Sequence, residues 1–100
     1  MELEDLKNKI ASFSDEKFGK DRPFTSPLHH MKEEVDEAIE SGKTEEFVDI
    51  LLLLIDSYRK KFPDRSMKDL LKAADYKIEN VLKFRKWGMP DDNGVFKHIK

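Results

Sequence analysis

The chain has 100 residues, 38% of them hydrophobic and 40% charged, with a formal net charge of −2 and no cysteine. That length makes one small domain with a modest core, and an evenly spread, near-neutral charge offers no broad basic field to a nucleic-acid polymer. The lack of cysteine excludes disulfides, thiolate metal sites and a cysteine nucleophile, and points to the cytoplasm.

In chain order, the start Met1-Glu2-Leu3-Glu4-Asp5 is acidic and unlike a signal peptide. Leu3, Leu6, Ile10 and Phe13 recur at helical spacing, predicting an amphipathic packing helix over residues 2 to about 17. Phe18 to Thr25 reads as a loop punctuated by Gly19 and Pro23. Ser26-Pro27 has the form of a helix start, Ser26 as cap and Pro27 at the first helical position, with Gly42 as the matching stop. On this second helix, about 27 to 41, Leu28, Met31, Val35, Ala38 and Ile39 form the apolar stripe. His30, Glu34, Glu37 and Ser41 run beside it, while Glu33, Asp36 and Glu40 lie toward solvent. Glu34 and Glu37 are therefore the acids best placed to look into a bundle, although a solvated Glu-rich helix is the simpler account of this segment taken alone.

Thr44 is a plausible cap for a third helix, with Glu45 and Glu46 favoured in its first turn by the helix dipole. Phe47 to Ile55 is apolar nearly all round, the mark of a buried central helix, and its longest run, Ile50 to Ile55, is too short to span a bilayer. Asp49 stands inside that segment, where an ionised carboxylate needs a partner or a metal; alternatively, Glu45, Asp49, Asp56 and Lys60 form one wet edge. Glu34 with Glu37 and Glu46 with Asp49 are two acidic pairs spaced i,i+3 on either side of a turn. Two adjacent helices could thus aim four carboxylates at one point, an arrangement that suits a hard divalent ion.

Pro63 ends the third helix, and Ser66-Met67-Lys68-Asp69 resembles a capping box that opens a fourth helix running to about residue 86. Met67, Leu70, Leu71, Ala74, Ile78, Val81 and Leu82 form its apolar stripe. Lys77 and Asn80 flank that stripe, where they could hold a phosphate oxygen or a base, although a lysine beside a helix seam more often simply snorkels. The tail from Trp87 to Lys100 carries Gly88, Pro90 and Gly94 and cannot be helical throughout. Its Trp87, Val95, Phe96 and Ile99 suit docking on a surface. No Gly-rich phosphate loop is present, and no Glu-x-x-His pair of the di-iron type. Adjacent His29 and His30 point in different directions on a helix and are poorly arranged for one metal.

Glu33-Glu34-Val35-Asp36-Glu37 followed by Glu46-Phe47-Val48-Asp49 resembles the signature of the MazG-like, all-α nucleoside triphosphate pyrophosphohydrolases. Phe13-Ser14-Asp15-Glu16-Lys17-Phe18-Gly19, His30 ahead of Glu34, Asp56 with Arg59, and Arg85-Lys86-Trp87 leading to His98 are similar to the dATP/dGTP pyrophosphohydrolase branch. The resemblance covers the chain from about residue 13 to the end. It implies an all-α four-helix bundle with a short non-helical tail, and hydrolysis between the α and β phosphates to a nucleoside monophosphate and pyrophosphate. It further implies that Glu34, Glu37, Glu46 and Asp49 bind Mg²⁺, with Mn²⁺ as a possible substitute, and that Glu33 is a second-layer carboxylate or the base for the attacking water.

Near the end of the chain the branch pattern is displaced: Asn80 is seven residues before Trp87 and Lys83 follows it at +3. Lys77 and Asn80, which flank the seam, and Arg85, in line with the apolar stripe, are the expected substrate-binding residues. The resemblance also implies a homodimer or homotetramer, which a small core favours. The competing expectation is a non-catalytic helical interaction module, with solvated acids and Trp87 and Phe96 as anchors.

Overall fold

The computed structural model describes residues 1–100 and contains four α-helices: α1, Leu3–Phe18; α2, Thr25–Ser41; α3, Thr44–Lys61; and α4, Met67–Asn80. At the start of α1, Asp5 accepts the backbone N–H of Glu2, and Gly19, at φ 92°, ends the helix by donating to the Asp15 carbonyl. α2 begins earlier than the Ser26 cap predicted, because the Ser26 N–H donates to the Pro23 carbonyl and that turn feeds directly into the helix. Pro27 still lies in the first turn, where its missing N–H would have had no helical partner, and it is fully buried.

Gly42 closes α2 in the left-handed conformation, φ 63°, with its N–H on the Ala38 carbonyl at 2.9 Å. Glycine takes this geometry without the Cβ penalty of other residues. α3 starts with Lys43, not Thr44, in the cap position. Its first turn carries Glu45 and Glu46 and its last turn Arg59, Lys60 and Lys61, both in keeping with the helix dipole.

The chain divides into two compact units, Met1–Met67 and Lys68–Lys100. In the first, the short connection at Gly42 packs α2 against α3, and α1 packs on α3 as well. The buried centre consists of Ile55 and Met67 with Pro27, together with the polar residues Ser14, Asp56 and Ser57. The Ser57 hydroxyl donates to the Phe24 carbonyl at 2.7 Å, and Glu4 accepts the Met67 N–H at 2.9 Å.

The sequence predicts a buried segment from Phe47 to Ile55, and the structure corrects this. Phe47, Val48, Leu51 and Leu54 remain exposed, as do Val35 and Ile39 on α2. The core of one short chain is too small to cover every apolar side of its most hydrophobic helix.

In the second unit α4 stops at Asn80, short of the expected residue 86. The Asn80 amide turns back to donate to the Tyr76 carbonyl at 3.1 Å, and Val81 departs from helical geometry at φ −125°. Asparagine competes with helical backbone in this way, and β-branched valine does little to restore it. A short 3-10 turn, Leu82–Phe84, follows. The tail then folds on itself: Trp87 and His98 form an antiparallel bridge, with Gly88 N–H on the Lys97 carbonyl at 2.9 Å and Ile99 N–H on the Lys86 carbonyl at 2.7 Å. Asp91 ties the turn by accepting the N–H groups of Asn93 and Val95, both at 2.9 Å. No helix is long and apolar enough to cross a membrane.

Candidate active site

The two acidic pairs flank the turn at Gly42, and Glu34 is the centre of the group. Its side chain is only 13% exposed. Burial pushes its carboxyl above the usual value, the charges of Glu37 and Asp49 and a hydrogen bond with Glu37 add to that, and His30 opposes it. His30 Nε2 lies 3.3 Å from Glu34 Oε1. Asp49 of α3 thus lies close enough to Glu34 of α2 for its charge to be felt there.

Glu46 is half-buried, and its Oε2 is sealed from water with no hydrogen-bond partner. Asp49 is exposed yet borders the same cavity as Glu34, while Glu33 and Glu37 are exposed. No three of these groups are drawn into a closed coordination shell. The donor set nevertheless fits a hard divalent cation: it is all carboxylate oxygen, and one buried oxygen lacks a partner. Lys77, Asn80 and Arg85 all belong to the second unit, with Lys77 and Asn80 exposed and Arg85 half-buried.

Beside the acids lies a cavity of about 460 Å³, whose apolar walls include Phe13 and Phe18 of α1 and Leu52 and Leu53 of α3. Ser14, Arg22 and Asp56 add polar groups to that lining. Ser14 Oγ donates to Asp56 Oδ2 at 3.0 Å. Arg22 Nη2 donates to the same oxygen at 3.3 Å and to Ser14 Oγ. Arg59 Nε donates to Asp56 Oδ1 at 2.8 Å, and its Nη2 reaches Asp15 Oδ1 at 2.9 Å.

Arg59 hydrogen-bonds Asp15 and holds its carboxyl below the usual aspartate value against a partial desolvation. For Arg59, burial favours the neutral form, but the hydrogen bonds and charges of Asp15 and Asp56 outweigh it and raise the guanidinium's value. The sequence places Arg22 in a loop and offers Ser14, Asp15, Asp56 and Arg59 only as residues that carry the resemblance, with nothing to show that they form one network.

An all-α chain whose successive helices carry interacting acids at the edge of a cavity has the form of the MazG-like hydrolases. The fold matches the solved structure of a MazG-like pyrophosphohydrolase from cyanophage S-2L, bound to dGDP and three catalytic Mn²⁺ ions per active site, with a TM-score of 0.71. That match spans 100% of this chain and 95% of the other at 22% identity. Residues 6–100 match the family model of the dATP/dGTP pyrophosphohydrolases, and the chain belongs to that family. It is a nucleotide pyrophosphohydrolase. Among the curated proteins no sequence matches it.

Proposed function

We propose that this enzyme uses Mg²⁺, or Mn²⁺ in its place, to hydrolyse a deoxynucleoside triphosphate at the α–β bond, giving the nucleoside monophosphate and pyrophosphate. The observation that carries the reading is that Glu34 of α2 and Asp49 of α3 border one cavity, the charges of Glu37 and Asp49 help to raise the Glu34 carboxyl, and a Glu46 oxygen on α3 is buried without a partner. Four carboxylates alone would repel a triphosphate; with a divalent cation they attract it. Glu34, Glu37, Glu46 and Asp49 would hold the ion. When bound, it supplies charge neutralisation for the triphosphate, an oriented water and stabilisation of the departing pyrophosphate. Glu33 takes the proton as the water oxygen attacks the α phosphorus and the bond to the bridging oxygen breaks. Lys77 and Asn80, which flank the apolar stripe of α4, and Arg85 are the substrate-binding residues of this reading.

The same reading places the enzyme in the cytoplasm as a homodimer or homotetramer with no nucleic-acid polymer as partner. The apolar face left open by Val35, Ile39, Phe47 and Leu51 supports self-association. The test is product analysis after incubation with a panel of deoxynucleoside triphosphates and Mg²⁺. Equal amounts of monophosphate and pyrophosphate are expected. Orthophosphate with a diphosphate, or no turnover of any nucleotide, would overturn the proposal.

A further inference from the structure

A second cavity, of about 490 Å³, lies where the loop after α1 meets the end of α3. Lys20, Arg22, Arg59, Lys60 and Lys61 line it, against the single acid Asp15. Asp56, which pairs with both arginines, offsets one more cation, so three positive charges are left over. Arg59 stands ten residues beyond Asp49 on α3, about 15 Å along the helix axis, which separates this cluster from the acidic pairs.

The arginines are engaged with acids, Arg22 with Asp56 and Arg59 with Asp56 and Asp15, and they add field here more than free donors. The lysines differ. The Lys60 side chain is only 7% exposed, yet its Nζ lies 3.8 Å from Asp15 and 3.4 Å from the Lys20 carbonyl. Both distances exceed those of an ordinary N–H···O bond. An ammonium has three donors, and burying it without close acceptors is costly. Lys61 Nζ stands over the Phe24 ring at 4.8 Å, and neither Lys61 nor Lys20 forms an ion pair. Asp15 cannot serve them all, because Arg59, Lys60 and Lys20 already act on its one carboxyl.

The helix dipole accounts for cations in the last turn of α3, but not for Lys20 and Arg22, which the loop brings to the same place. Ammonium groups gathered around one space repel each other unless an anion lies between them. A nucleic-acid backbone needs a long basic track. Five cations around one cavity, in a chain of net charge −2, suit a small and compact anion instead.

We propose that this cavity binds a multiply charged phosphate anion, inorganic phosphate or pyrophosphate, at a site distinct from the acidic pairs. Lys20, Lys60 and Lys61 donate to its oxygens, and Arg22 and Arg59 hold the surrounding field positive. The site does not depend on the reaction assigned to the acids.

The test is isothermal titration calorimetry of the full chain with pyrophosphate, in metal-free buffer at fixed ionic strength. Without a divalent cation the acids repel anions, so binding reports the basic cavity whether or not the chain turns over a nucleotide. Saturable binding of one pyrophosphate per chain is expected, displaced by phosphate and not by chloride. Lys20 and Lys61 are exposed, so Lys20→Gln with Lys61→Gln should fold normally and bind at least about 10-fold more weakly. Lys9→Gln with Lys72→Gln removes the same charge from exposed positions outside the cavity and should leave the affinity unchanged. No saturable binding, displacement by chloride as readily as by phosphate, or equal weakening in the two double variants would overturn the proposal. Should the first double variant fail to fold, Lys20→Gln alone carries the comparison.

Discussion

Replacing Asp56 by alanine removes the centre of the polar network beneath the cavity. The residue is 5% exposed. Its Oδ2 accepts from Ser14 at 3.0 Å and Arg22 at 3.3 Å, and its Oδ1 accepts from Arg59 at 2.8 Å. Alanine would leave two guanidinium groups and a hydroxyl facing an empty site. Breaking a buried ion pair from one side costs about 3–5 kcal/mol. The lower end applies, because Arg59 keeps Asp15 at 2.9 Å and the Arg22 side chain, 26% exposed, can regain water. A loss of about 3 kcal/mol corresponds to a melting temperature lower by about 12–24 °C in a domain of this size. Urea denaturation followed by far-UV circular dichroism, at one fixed protein concentration, measures it directly. Asp56→Asn, which keeps the shape, should fall between alanine and wild type. A cost below about 1 kcal/mol, the range of exposed pairs, would refute the claim that the network is buried and cooperative.

Asp15 gives a pH signature. Its carboxyl is held below the usual value in the folded state, so its contribution is present above the unfolded value of about 3.9 and is lost as the pH falls through the folded one. Asp15→Asn should therefore be less stable than wild type at neutral pH, with the gap closing below about pH 4; a gap that does not depend on pH would contradict the pairing with Arg59. Gly42→Ala adds a Cβ that meets nothing within 4 Å, so only the backbone penalty at φ 63° applies, about 1 kcal/mol of unfolding free energy by urea denaturation. A much larger loss would mean that the turn is not the simple left-handed cap described. Phe47 is 60% exposed on the open apolar face. Phe47→Glu should shift the mass seen by light scattering toward the monomer, and an unchanged mass would rule that face out as the interface.

Much of the helical plan was legible because it rests on local signals. Gly19, Gly42 and Pro63 punctuate the chain where helices end, and the spacing of Leu3, Leu6 and Ile10 marks α1. The end of α4 was not legible: apolar spacing continues through Val81 and Leu82 and outweighs, on paper, the local signal of Asn80, whose side chain bonds back to the Tyr76 carbonyl where the helix stops. The acids on α2 and α3 could be placed on facing sides from a 3.6-residue period alone, and Glu34 does respond to Glu37 and Asp49.

Exposure was harder to foresee. An apolar α3 looks buried in sequence, yet Phe47, Val48, Leu51 and Leu54 stay exposed in the single chain. The network of Ser14, Arg22, Asp56 and Arg59 joins residues up to 45 positions apart in α1, the following loop and α3. No local pattern encodes such a meeting. Only the fold shows that the loop arginine reaches a buried acid.

The most direct measurement of the central claim is Mg²⁺-dependent pyrophosphate release from dGTP by wild type, Glu34→Gln and Asp49→Asn, each checked for cooperative melting. Turnover should vanish in EDTA, return with Mg²⁺, and fall at least about 100-fold in both variants while their melting temperatures stay close to wild type. Wild-type turnover that persists in EDTA, or folded variants that retain full activity, would contradict the assignment of these carboxylates to a metal.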